Sequence, residues 1–309
     1  MLYTDFWNLA FYPFANDSRP ETFVPTRSAA LCIGRLRYSL GMGMGASALF
    51  GEPGTGKSRV ARILLQEFSA ARWLTAYLPS PTGAPRDILA ALNPVQAASL
   101  PAAASGMTEL HAFLIDRAVH HQPVLLVVDD VQAARGTDFL EVLRTLLNIE
   151  HDGIKALSIL LVGQAGMERK LAAASGFNGQ LLVRAVLDPM AADETRLYIL
   201  ARLKAAGSRQ GIFTKQAAEL VVRFSGGIPR QVNRLCEMSL VIAYGLEEAK
   251  VTPEIVEMAA ADLDLLPVGE ASFFHWPHPV QPRLPEPEAE VAPEEEDILA
   301  MLPAEAGAQ

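Results

Sequence analysis

The chain has 309 residues, half of them hydrophobic and 20% charged, with a formal net charge of −9. That length and composition suit one large globular domain or two smaller ones and exclude a wholly disordered or fibrous chain. From Glu270 onward nine acidic residues face one Arg; taken from totals of 35 acidic and 26 basic, this leaves positions 1–269 near neutrality, without the overall basic field that draws in nucleic acid.

The two cysteines, Cys32 and Cys236, are far apart and fit no metal-ligand or disulfide pattern, as in a reducing compartment. The N-terminal MLYTDF has an early Asp5 and no basic stretch, unlike a secretory signal. The longest apolar runs, at 124–128 and 157–162, have strand length rather than the ~20 residues of a membrane span. A cytoplasmic location is expected, with peripheral attachment to the inner membrane as the variant.

In chain order, residues 1–45 hold an aromatic segment (Phe6, Trp7, Phe11, Tyr12, Phe14) and a helix over 28–40. The segment is expected to pack on the sheet domain as core; the alternative is a docking surface. Residues 46–189 alternate strands (46–50, 73–78, 124–128, 157–162, 181–187) with helices (57–70, 107–120, 138–148). Val60, Ile63, Leu64 and Phe68 carry the helical period of the first helix. Val124–Val128 is apolar throughout, as a parallel strand covered on both faces requires. The pattern predicts an α/β fold, a three-layer α/β/α domain with a parallel sheet. Residues 190–264 lose the strands and read as four helices (193–205, 214–224, 229–244, 252–262), a small helical lid domain. Residues 265–309 are acidic, rich in Pro and Glu, and expected to be disordered. Within that tail EEEDILAML, 294–302, is a candidate partner-binding turn of helix.

Gly51-Glu52-Pro53-Gly54-Thr55-Gly56-Lys57-Ser58 matches the phosphate-binding pattern GxxxxGK[ST] between a strand and a helix. The glycines let backbone N–H groups form a concave nest, and the helix that follows directs its positive end at the phosphates. Lys57 is expected on the β- and γ-phosphates and Ser58 on Mg²⁺, with Arg59 the next residue of the nucleotide-binding run. ATP and Mg²⁺ are the expected ligands.

Such a loop needs a second acid for the metal. The strand over 124–128 ends in Asp129-Asp130, which puts carboxylates at the sheet's C-terminal edge, where nucleotides bind. Asp129 is the metal candidate; Asp130 stands where an acid orients the attacking water. A helix cap is the alternative for the pair. Gln164 closes the strand over 157–162 and can face the γ-phosphate. Arg230 opens a lid helix after Gly-Gly-Ile-Pro. Arg184 and Arg169 are candidate charges acting across an oligomer.

Together these residues resemble the AAA+ ATPases of the general secretion pathway protein A (ExeA) type over most of the chain. GEPGTGKS, VVDDVQ, ILLVGQ and GGIPRQVNRLCEMSLVIAYG stand in that family's order. The resemblance implies that Gln164 is sensor 1 and Arg230 is sensor 2. It also implies a homo-oligomer and a link to a membrane-associated secretion or export complex. Two departures bear on rate. The family reads Asp-Glu where this chain has Asp129-Asp130, and Asn178-Gly179-Gln180-Leu181 lacks the family's arginine before the fifth strand. Three functions follow: an ATP-hydrolysing machine for assembling or remodelling an envelope system, an ATP-gated adaptor with little hydrolysis, and a DNA-binding regulator of the transposition type. The near-neutral body disfavours the third, and the acidic tail adds a candidate protein partner.

Overall fold

The computed structural model describes residues 2–15, 22–43, 45–81, 84–101, 106–134, 138–167, 171 and 178–268. Arg169 and the tail segment 294–302 lie outside the described residues.

Five parallel strands, β1 (Ala46–Gly51), β2 (Leu74–Leu78), β3 (Val124–Val128), β6 (Leu157–Gln164) and β7 (Leu181–Leu187), form a sheet in the order β2-β3-β6-β1-β7. A separate antiparallel pair, β4 (Glu150–His151) and β5 (Ile154–Lys155), turns through Asp152 and Gly153, both at positive φ.

Successive side chains of a strand point to opposite faces, and β3 shows the consequence. Val124, Leu126 and Val128 join one core, while Leu125 and Val127 join another. The first core is covered by α4 (Pro85–Leu92), α6 (Met107–Val119) and α7 (Asp138–Leu147), the second by α2 (Arg27–Gly41) and α3 (Lys57–Ala70). The expected three layers are present. The helices α4 and α5 (Pro94–Ser99) were not legible in their Pro- and Ala-rich stretch. Each carries its Pro in the first turn, where no N–H partner is required.

After β7 the chain is helical: α8 (Ala192–Ala205), α9 (Lys215–Ser225), α10 (Pro229–Gly245) and α11 (Pro253–Asp262). Their apolar faces meet in a third core containing Ile199, Val221, Leu235 and Val256. Leu265 still packs on it, and the Val268 N–H donates to Arg223 O at 2.9 Å.

The N-terminal aromatic segment corrects the expectation that it packs on the sheet. After the single turn α1 (Tyr3–Phe6), Tyr3, Leu9 and Phe14 are buried in the core of the helical bundle. The physical reason is a buried guanidinium. Arg202 of α8, 5% exposed, donates to Pro13 O at 2.6 Å, Ala15 O at 2.9 Å and Thr22 O at 3.0 Å, and so draws the segment to the bundle. The next stretch, 23–26, leads into α2, which lies on β7 and β1.

Candidate functional site

Three adjacent strands set up the site. Gly51, the last residue of β1, pairs in register with Gln164, the last of β6, and β3 runs alongside β6 with Val128 opposite Leu161. The phosphate-loop motif, Asp129 and Gln164 therefore emerge side by side at the C-terminal edge of the sheet, where α/β proteins place their ligands. A cleft of about 710 Å³ opens there, lined by Pro53 to Val60, Asp129, Asp130, Gln132, Gln164 and Arg230.

The loop is shaped for an anion. Gly54 sits at φ +92° and Gly56, the residue preceding α3, at φ +104°. Thr55 is tied by its hydroxyl to Glu52 O at 2.9 Å. The Lys57 ammonium folds over the loop and donates to Gly51 O at 3.0 Å and Glu52 O at 2.7 Å. Burial lowers its pKa and outweighs the opposing influence of Asp129; the Arg230 guanidinium pushes in the same direction as burial. A desolvated cation over a helix N-terminus is what a phosphate group would relieve. Pro53, Thr55, Ser58 and Arg59 line the cleft, and Gly51 and Glu52 are not among its lining residues.

Asp129 is 8% exposed and held by two donors. Its Oδ1 accepts the Asp130 N–H at 2.9 Å and its Oδ2 accepts the Tyr77 hydroxyl at 2.5 Å. Burial, then the bond to Asp129, pushes the Tyr77 phenol up to about 12. Asp130 is in the left-handed region, φ +54°, and its Oδ1 accepts from the Gln132 amide. No side-chain cap bond from Asp130 to the short 3-10 turn Val131–Ala133 is present, so the helix-cap alternative lacks its defining contact. Gln132 Oε1 in turn accepts the Gln164 N–H at 3.2 Å. Sequence reasoning missed both Tyr77 and Gln132. The Gln two residues after the acids was a visible signal; the Tyr77 contact depends on the β2–β3 register.

The donor set suits the expected ligands. A hydroxyl at Ser58 and a fixed carboxylate at Asp129 are hard oxygen donors of the kind Mg²⁺ takes, beside a loop of N–H groups and an ammonium for phosphates. Among the described residues no group of three or more His, Cys, Asp or Glu is placed to hold a metal ion.

Arg230 reaches the site from the bundle. Its N–H donates to Gly54 O at 3.2 Å, placing the first turn of α10 against the loop. One turn on, Asn233 accepts from the Tyr198 hydroxyl at 2.9 Å, and both line the cleft beside Phe23 and Val24. The Arg59 guanidinium lies 5.8 Å from the centroid of the Phe23 ring. Arg184 is not brought to the cleft of its own chain: it is exposed on the edge strand β7, its carbonyl accepting from Arg35. Asn178 to Gln180 form a short 3-10 turn before that strand.

A five-stranded parallel sheet in this order, a phosphate loop after β1, an acid after β3 and a helical bundle that returns an Arg to the loop define an AAA+ P-loop protein. The family model described as AAA domain matches residues 41–171. Within that class the chain is similar to General secretion pathway protein A of Aeromonas hydrophila, at 31% identity over 270 residues. That match covers 85% of this chain and 48% of the relative, so the chain spans about half the relative's length. Among solved structures, the ORC2 protein of Aeropyrum pernix superposes with a TM-score of 0.62 at 18% identity, over 81% of this chain and 70% of that one. Cdc6p of Pyrobaculum aerophilum gives 0.65 at 17%, over 81% and 70%. The RuvB branch migration motor of Thermotoga maritima gives 0.52 at 15%, over 81% and 73%. At these identities the likeness concerns the fold.

Proposed function

We propose that the protein is a Mg²⁺-dependent ATP hydrolase whose turnover drives assembly or remodelling of a secretion- or export-type envelope system. One observation carries the reading: the loop that leads from β1 to Lys57, Asp129 directly after β3, and Gln164 closing β6 lie at the ends of three adjacent strands, and Arg230 is delivered to the same loop by the helical bundle. Lys57 exchanges its loop carbonyls for phosphate oxygens, and the N–H groups of Gly54 to Ser58 cradle the rest of the triphosphate. Mg²⁺, when bound, would neutralise phosphate charge. The Ser58 hydroxyl and the Asp129 carboxylate hold it. Asp130 orients the attacking water, and Gln164 and Arg230 read the γ-phosphate. Because Arg230 opens α10, its response to the γ-phosphate moves the bundle against the sheet. The secretion setting rests on the Aeromonas relative, and oligomerisation, with Arg184 acting on a neighbour, on the AAA+ class. A cytoplasmic site is part of the same reading; among the described residues no helix is long and apolar enough to cross a membrane.

A second reading, an ATP-gated adaptor with slow hydrolysis, draws on Asp130. Its carboxylate is shorter than Glu and already tied to Gln132. Calorimetric titration of ATP and ADP with and without Mg²⁺, on wild type and Lys57→Ala, tests the nucleotide site common to both readings. Mg²⁺-enhanced binding lost in Lys57→Ala is expected; equal binding by both proteins would overturn it.

A further inference from the structure

We propose that Tyr77 is a positioning residue for the metal-binding carboxylate, holding Asp129 in the one orientation from which it can serve Mg²⁺. The inference rests on the nucleotide-site reading above and deepens it. Tyr77 stands near the end of β2, opposite Val127 in the parallel pairing with β3, and β3 delivers Asp129 two residues later. The ring is half-buried and the hydroxyl reaches Asp129 Oδ2 at 2.5 Å. The other oxygen is already fixed by the Asp130 N–H. With a donor on each oxygen, rotation about the Cβ–Cγ bond breaks two hydrogen bonds, one of them a short bond to an ionised acceptor.

A second contact keeps the ring in place. The Arg62 guanidinium, on α3 one turn beyond Ser58, lies 5.6 Å from the centroid of the Tyr77 ring. Tyr77 is thereby bracketed between the helix that carries one metal donor, Ser58, and the strand end that carries the other, Asp129. Partners that orient a ligating carboxylate typically change metal affinity by 10–100-fold when removed. The expected effect is therefore on Mg²⁺ rather than on the nucleotide as such.

Tyr77→Phe removes the hydroxyl, with its bonds to Asp129 and Arg62, and keeps the ring. The probe is a fluorescent ADP analogue, titrated first in EDTA and then with rising Mg²⁺. The proposal predicts unchanged affinity in EDTA and a Mg²⁺ concentration for half-maximal enhancement raised about tenfold. It also predicts that the Tyr77→Phe shift disappears when Asp129→Asn is already present, because the two changes remove one interaction. A half-point within twofold of wild type would overturn the proposal, as would a weakened EDTA affinity with no Mg²⁺ shift, which marks a structural role. Failure of the wild type to show any Mg²⁺ enhancement would overturn this inference together with the nucleotide-site reading.

Discussion

The backbone N–H of Arg230 donates to the carbonyl of Gly54 at 3.2 Å, so the helical bundle is fastened directly to the phosphate-binding loop. The approach leaves no room for a side chain on Gly54. A Cβ there would lie 2.9 Å from Arg230 Cβ and 3.0 Å from Ile228 Cγ2, at a φ of +92° that L-residues rarely adopt. Gly54→Ala is predicted to weaken ADP binding by about five- to 150-fold through strain of roughly 1–3 kcal/mol. Arg230→Ala retains the Cβ and should leave ADP affinity nearly unchanged while abolishing discrimination between ATP and ADP. Competitive titration of both nucleotides on both variants checks the pair; unchanged binding by Gly54→Ala would contradict the tight contact.

Arg202 satisfies three carbonyls of the N-terminal segment from a position 5% exposed. Arg202→Met keeps the apolar stem and leaves Pro13, Ala15 and Thr22 without their donor. A loss of about 3 kcal/mol is expected, because buried acceptors are costly to strand. For a body of this size that lowers the melting temperature by roughly 6–12 °C. Limited proteolysis should also cut before α2 in the variant first. A melting temperature within 2 °C of wild type, on the order of 1 kcal/mol or less, would count against it.

Glu237 of α10 is half-buried, accepts the Tyr3 hydroxyl at 2.6 Å, and has its second oxygen buried without a hydrogen bond among the described residues. Burial raises its pKa above the ordinary carboxylate range, against the opposing pull of Tyr3, Phe14 and Arg202. Between the ordinary value and the raised one, the folded protein binds more protons than the unfolded chain. Stability from this group therefore increases as pH falls through that window and is lowest above it. Glu237→Gln removes the titration, so wild type should gain on the variant between pH 7 and pH 4.5. Urea unfolding midpoints at both pH values report it; parallel changes in the two proteins would refute the assignment.

The Asp130 side chain is one methylene shorter than that of Glu, and Gln132 already engages it. Asp130→Glu is expected to raise kcat by about tenfold or more with little change in KM, since an ångström of misplacement can cost about a hundredfold in rate. A fall in kcat would mean that the short side chain is matched to its surroundings.

The glycine-rich loop and the acids after β3 were legible in the sequence because their signals are local. GEPGTGKS lies between an apolar run and a helical period, and VLLVV ends directly on Asp129. What escaped depends on contacts between distant positions. Arg202 reads as an ordinary helix Arg until the carbonyls of Pro13, Ala15 and Thr22 converge on it. The aromatic segment was rightly read as core-forming, but its partner was the bundle, which no spacing in the sequence encodes. Tyr77 looks like a strand residue until parallel pairing sets it beside the end of β3. The helices α4 and α5 were hidden because Pro at a first helical turn and Pro in a loop look alike without the backbone.

The most direct measurement of the central claim is steady-state phosphate release by the purified protein with Mg²⁺–ATP, beside Lys57→Ala and Asp130→Asn, with ATP binding followed in parallel. The account predicts Mg²⁺-dependent turnover by wild type, none above background by either variant, and retained ATP binding by Asp130→Asn. Tight ATP binding by wild type without turnover, unaltered by Asp130→Asn, would contradict it and leave the ATP-gated adaptor in its place.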